Sequence, residues 1–329
     1  SKPHPEMAAF YDEKELLYDN MGKYTEALSL LKESLSIKEK TLEEEQPDIV
    51  QSYGSIGLVY YELTEYEKAL DYLNKALDIA DKIWSGPFSF KADIYTNLGL
   101  VYRSVGDYQK AEDFYDRALH IREEIYSPNH PLVLASKNNI AQVYASEERY
   151  QDAIELYETI IHDYKGDLSV DSTFLATVND NLSNVYRQVR RYEDAISACT
   201  EGWRMRKKIL GERSVDSALS MNKLALIYYE MGALNEALDL FRNALDIKKE
   251  KLPPKHGQIS MGHFNLGLVY DRLHRDEEAL DNYRASMEID NELGAYEDVL
   301  LTAEYVAEIY ERNNMPEMAA EYRSLRSLC

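Results

Sequence analysis

The chain has 329 residues, 45% of them apolar and 29% charged, with 27 tyrosines and a formal charge of -22 at pH 7. That apolar share excludes a disordered chain and is ample for a packed core. The acidic balance opposes binding to phosphate backbones and anionic membranes unless cations gather on one face, so no nucleic-acid partner and no membrane insertion are expected.

Taken in order, the chain reads as helix pairs. In the first, over 7–44, Tyr18 precedes Ala27, and Glu15 stands where later units carry a small residue, as suits a terminal repeat with one solvated side. The units that follow span 48–86, 90–128, 132–170, 174–212, 216–254, 258–295 and 297–328. The third is the clearest: Tyr95, Leu98, Gly99 and Tyr102 form an i, i+3, i+4, i+7 stripe, which resumes after Gly106 at Tyr108, Ala111, Tyr115, Ala118 and Leu119. A small residue opens the second helix at Ala27, Ala69, Ala111, Ala153, Ala195, Ala237 and Ala279, each 42 residues after the last, and at Ala319 after 40. Twelve positions earlier, where the helices of a pair must cross closely, stand Gly57, Gly99, Ala141, Ser183, Ala225 and Gly267, with Ala307 in the last unit. Three further on is a tyrosine: Tyr60, Tyr102, Tyr144, Tyr186, Tyr228, Tyr270 and Tyr310. Breaker chemistry separates the units at Glu45-Gln46-Pro47, Gly86-Pro87, Pro128 to Pro131, Gly166-Asp167, Gly211-Glu212 and Pro253-Pro254. The fifth unit departs from the pattern. Cys199, Gly202 and Trp203 predict altered curvature near residue 200, from either a flexing point or a repacked interface.

The aromatic, Leu-Gly, Tyr, Ala and aromatic order resembles the tetratricopeptide template. Its 42-residue unit resembles the arrays of kinesin light chains and nephrocystin-like proteins, most plainly in SPNHPLVLASKNNIAQVYASEERYQDAIELY, Ser127 to Tyr157, with its His-Pro start, paired Asn and Tyr-x-x-Ala. The resemblance covers repeats two to seven. It implies an all-α, right-handed superhelical solenoid of about eight helix pairs over 1–329, with the first helix of each pair on the concave side.

Outward positions on those first helices are free of the core. One reads Ser55, Asn97, Asn139, Asn181, Lys223 and Asn265; Asn is a poor mid-helix residue. Amides that donate and accept could clamp the backbone of a peptide or helix in the groove, the role the resemblance implies for the matching Asn. They could equally bond to neighbouring helices and hold the units in register. Asn138 and Asn222 lie one position earlier, and Asn184 three after Asn181, thickening the strip. Arg103 and Arg187 share a second groove-side position, with Arg272 one place on. Guanidinium groups there would select acidic residues in a partner, or pair within the chain. Leu58, Leu100, Leu226, Leu268, Tyr61 and Tyr229 are candidates for apolar pockets or inter-repeat packing.

The remaining signals are weaker. The seven His, at 4, 120, 130, 162, 256, 263 and 274, lack metal-ligand spacing, and no phosphate loop or nucleophile elbow appears, so neither metal nor cofactor nor enzymatic activity is expected. The sequon Asn181-Leu182-Ser183 falls on a helix pattern, and acidic runs such as Glu43-Glu44-Glu45 read as solvated helix ends. Two cysteines, Cys199 and Cys329, fit a reducing, cytoplasmic compartment. No stretch approaches 18 apolar residues, the start SKPHPEMAAFYDEKE has no signal core, and the missing initiator Met suggests a piece of a longer protein. The expected function is a non-enzymatic adaptor that binds a peptide or helical segment. The alternatives are a regulatory or sensor domain of a larger protein, and a self-assembling scaffold.

Overall fold

A computed structural model describes residues 23–41, 46–164 and 172–325. Glu15, Tyr18, His4, Glu43 to Glu45, Gly166-Asp167 and Cys329 lie outside the described residues, which hold 15 helices and no strand. The chain divides into two compact units, Ser1–Lys165 and Gly166–Cys329. The first holds α1 (Tyr24–Thr41), α2 (Pro47–Glu62), α3 (Tyr66–Ile83), α4 (Ser89–Ser104), α5 (Tyr108–Ile125), α6 (Pro131–Ser146) and α7 (Tyr150–Asp163). The second holds α8 (Ser172–Gln188), α9 (Tyr192–Leu210), α10 (Val215–Met231), α11 (Leu234–Lys251), α12 (Gly257–Arg272), α13 (Asp276–Leu293), α14 (Tyr296–Arg312) and α15 (Pro316–Ser324). In each unit the even-numbered helix from α2 onward packs on the odd-numbered one that follows, and each pair stacks on the next.

The small residues sit where the helices of a pair cross. A Cβ on Gly99 would stand 2.7 Å from the Tyr115 ring, one on Gly57 2.7 Å from Leu73, and one on Gly267 2.5 Å from Tyr283. In the same register as those pairs stand Ala141 with Tyr157 and Ala225 with Phe241, all four buried. Ser183 adds a bond, its hydroxyl donating to the Ala195 carbonyl at 2.7 Å. In the irregular fifth unit α9 runs unbroken from Tyr192 to Leu210. There Gly202 lets α9 approach α8 closely, since a Cβ would meet the Ala176 carbonyl at 2.9 Å, and Trp203 Nε1 donates to Ser217 on α10 at 3.0 Å. Both contacts tie the irregular unit to its neighbours α8 and α10.

The turn within each pair is the same device seven times. The residue at 64, 106, 148, 190, 232, 274 or 314 has φ between 55° and 90°. The next backbone N–H reaches back to the repeat's tyrosine carbonyl, as Glu65 does to Tyr60 at 2.9 Å and Asp107 to Tyr102 at 2.9 Å, which is the helix-ending bond of a Schellman turn. Only Gly106 and Gly232 meet the left-handed requirement without steric cost. Thr64, exposed and β-branched at φ 60°, meets it worst. Thr64→Gly should therefore raise stability by about 1 kcal/mol, the relief of that strain less the entropy glycine adds to the unfolded chain. A denaturant midpoint that stays put or falls would contradict it.

Ends of the second helices carry the contact between repeats. Lys38 Nζ donates to Ser52 on α2 at 2.8 Å. Two repeats on, the buried Arg122 donates to Ser136 on α6 at 2.7 Å and pairs with Asp93 on α4 at 2.7 Å. Two repeats further, Arg206 donates to Ser220 on α10 at 3.1 Å and pairs with Asp180 on α8 at 3.0 Å. This bolt uses side chains from the extra turns that lengthen the second helices to 18 or 19 residues in α1, α3, α5, α9, α11 and α13.

Candidate functional site

Successive first helices lie side by side within each unit and are joined along one face by polar contacts. In the first unit Tyr61 and Ser104 hydroxyls meet at 3.2 Å, and Arg103 donates to Gln142 Oε1 at 2.6 Å. Arg103 also lies by the phenol of Tyr115, which burial pushes up to about 12 against the pull of that guanidinium. In the second unit Arg187 pairs with Glu230, Lys223 pairs with Asp180, and Arg272 donates to the Tyr229 carbonyl at 2.6 Å while its guanidinium lies 4.9 Å from the Tyr229 ring. Intramolecular partners thus exist for every basic candidate, and each remains partly open to solvent.

Two of those cations meet in one place. Arg187 and Arg272 line an open groove of about 430 Å³ with Gln188, Arg190, Tyr192, Tyr229 and Glu230. The helix pattern of the sequence does not single out Arg190. Its left-handed backbone at φ 60° carries the exposed side chain to the end of α8, and the signal that could have found it is its register with Gly106 and Gly232. Three guanidinium groups and one carboxylate leave the groove cationic on an acidic chain. Burial raises the Tyr229 phenol, with Arg272 opposing, so the ring is a neutral hydrogen-bonding wall.

The asparagines divide by burial. Asn97, Asn139 and Asn181 are half-buried and Asn184 is exposed, whereas Asn138, Asn222 and Asn265 are only 7%, 7% and 8% accessible. Asn222 Oδ1 is buried with no partner. Asn265 lines a second cavity, between α12, α13 and α14. His130 and His256 are helix caps, each Nδ1 accepting a backbone N–H, from Leu132 at 3.2 Å and Gln258 at 3.1 Å. This accounts for the His-Pro start. Cys199 is a buried free thiol whose pKa burial pushes up to about 12, which leaves it inert. Among the described residues no group of three or more His, Cys, Asp or Glu could hold a metal ion, and no helix is long and apolar enough to cross a membrane.

The tetratricopeptide repeat family model matches residues 15–82, 90–162 and 174–250. Among solved structures, the quorum sensor NprR from B. thuringiensis is similar at 20% identity and a TM-score of 0.69, covering 96% of this chain and 87% of that one. BtubC (BKLC) from P. vanneervenii is similar at 20% identity and a TM-score of 0.58, covering 74% and 92%. The STAND protein with a tetratricopeptide repeat sensor, PH0952 from Pyrococcus horikoshii, is similar at 16% identity and a TM-score of 0.66, covering 96% of this chain and 46% of that one. No curated protein sequence matches.

Proposed function

The chain belongs to the tetratricopeptide repeat family, a fold of interaction scaffolds rather than of catalysts, and from that premise we propose that it binds an acidic peptide segment of a protein partner. The observation that carries the reading is the groove of Arg187, Arg190 and Arg272 on a chain of charge -22. A cluster of guanidinium groups on so acidic a molecule selects carboxylates, because the net negative charge of the chain disfavours acidic ligands where no such cluster offsets it. Arg190 and Arg272 supply forked donors for those carboxylates. In the same unit, half-buried Asn181 supplies donor and acceptor to a bound backbone. A buried, inert Cys199 fits a reducing, cytoplasmic compartment.

Selection of a random peptide library on the full chain should enrich Asp- and Glu-bearing peptides. Their affinity should fall about tenfold or more in Arg190→Ala/Arg272→Ala, since each lost charged hydrogen bond is worth roughly 1.5–3 kcal/mol, with only a small loss of thermal stability from the Arg272 contact to Tyr229. Enrichment of neutral peptides, or affinity indifferent to the double substitution, would sink the reading. A sensor role for the same face is the second reading, favoured by the likeness to a protein named as a quorum sensor over 96% of this chain. In that case the ligand is a short free peptide rather than a segment of a folded partner.

A further inference from the structure

The bolt between repeats reverses its charge once. Lys38, Arg122 and Arg206 each donate to a serine of the next first helix. In the same register of α13, two repeats after Arg206, the chain carries Asp290. It is 6% exposed, and its one side-chain bond is a contact from Ser286 Oγ at 3.3 Å; no ion pair reaches it among the described residues. Ser286 is itself 2.8 Å from Ser260 on α12, and Thr302 on α14 takes the place of the serine acceptors, α14 being set two residues early by the 40-residue interval to Ala319.

With the cation gone, the space is a cavity of about 470 Å³ between α12, α13 and α14. Asp290, Ser286, Ser260 and Thr302 are on its wall, Asp298 is also among the lining residues, and no Lys, Arg or His lines it. Three more lining side chains are apolar and open to water: Met261 at 58%, Leu293 at 49% and Leu301 at 52%. A carboxylate this buried without a counter-ion is costly, and large apolar side chains are seldom left grouped in water without use.

We propose that this cavity is an anchor site for a basic side chain, Lys or Arg, carried by an apolar stretch of a bound peptide. The ligand's cation replaces the one the repeat has lost: it pairs with Asp290 and donates to the hydroxyls, while its apolar neighbours cover Met261, Leu293 and Leu301. The proposal rests on the chain being a peptide binder, but it uses none of the groove arginines and asks for the opposite charge.

The test is a titration of the full chain with acetyl-Leu-Arg-Leu-amide, followed by methyl NMR of Met261, Leu293 and Leu301. The control peptide carries citrulline, neutral and of the same shape, in place of Arg. Saturable shifts at those methyls are expected, about tenfold or more weaker with citrulline, and weaker by a similar factor in Asp290→Asn. The same shifts should persist in Arg190→Ala/Arg272→Ala, so that failure of the arginine groove and failure of this site are told apart. Equal response to the two peptides, or no response at the three methyls, overturns the proposal. The citrulline comparison is made on the wild type and does not depend on the variant folding.

Discussion

Replacing Lys248 with methionine should stabilise the second unit by about 2–3 kcal/mol near pH 7 and abolish a rise in stability that the wild type shows between pH 8 and 10.5. Lys248 stands one repeat after Arg206, on α11, with no accessible surface and no partner for Nζ. The residue facing it in register on α12 is Gly262, where the bolted interfaces have a serine. Without an acceptor, burial alone lowers the amine from 10.5 to about 8. The folded-state pKa therefore lies below the unfolded one. Between the two values the unfolded chain binds the extra proton, so raising the pH favours folding, and below pH 8 the whole cost of the buried charge is present. Methionine keeps the unbranched length, fills the same space and carries no charge. Urea titrations at pH 7 and pH 10 read both parts of the expectation. A variant no more stable than wild type at pH 7, or a wild type whose midpoint does not rise with pH, would show that Lys248 finds a partner in solution.

That position marks the limit of what the repeats announce. The crossing residues Gly57, Gly99 and Gly267 and the tyrosines after them were legible because steric necessity repeats: every pair must cross, and a Cβ at the crossing would strike Leu73, Tyr115 or Tyr283. The bolt was equally present in the sequence, as Lys38, Arg122 and Arg206 with Ser52, Ser136 and Ser220, yet it recurs every second repeat, and a search at 42 residues passes over it. Asp290 was harder still, since its meaning lies in the cation it replaces. On the candidate face, Arg187 and Arg272 could be named from their helix position. Arg190 could not, because a left-handed turn residue and not a helix places it. The Asn positions share one register, but Asn265 is buried where Asn97 and Asn139 are partly open, and periodicity carries no information about packing.

The junction of the fifth and sixth repeats is where fold and candidate site meet, and Asp180 holds it. Its side chain is buried, accepts from Arg206 at 3.0 Å and pairs with Lys223, the candidate cation on α10. Asp180→Ala should cost about 3–5 kcal/mol, because it strands the nearly buried Arg206 without its counter-ion; Ser220 remains as an acceptor but supplies no charge. The loss belongs to the orphaned charge and not to the pair. Asp180→Ala combined with Arg206→Met should therefore recover most of it, and the coupling in that double-mutant cycle separates the two accounts. Lys223 is released in both variants. If it serves the peptide face only when fixed by Asp180, affinity for acidic peptides should fall in the restored double variant as well, with stability back near wild type. A double variant as unstable as Asp180→Ala alone would mean that Asp180 acts through packing on α8 rather than through its charge. A double variant with both stability and affinity intact would mean that the charges at this junction serve neither.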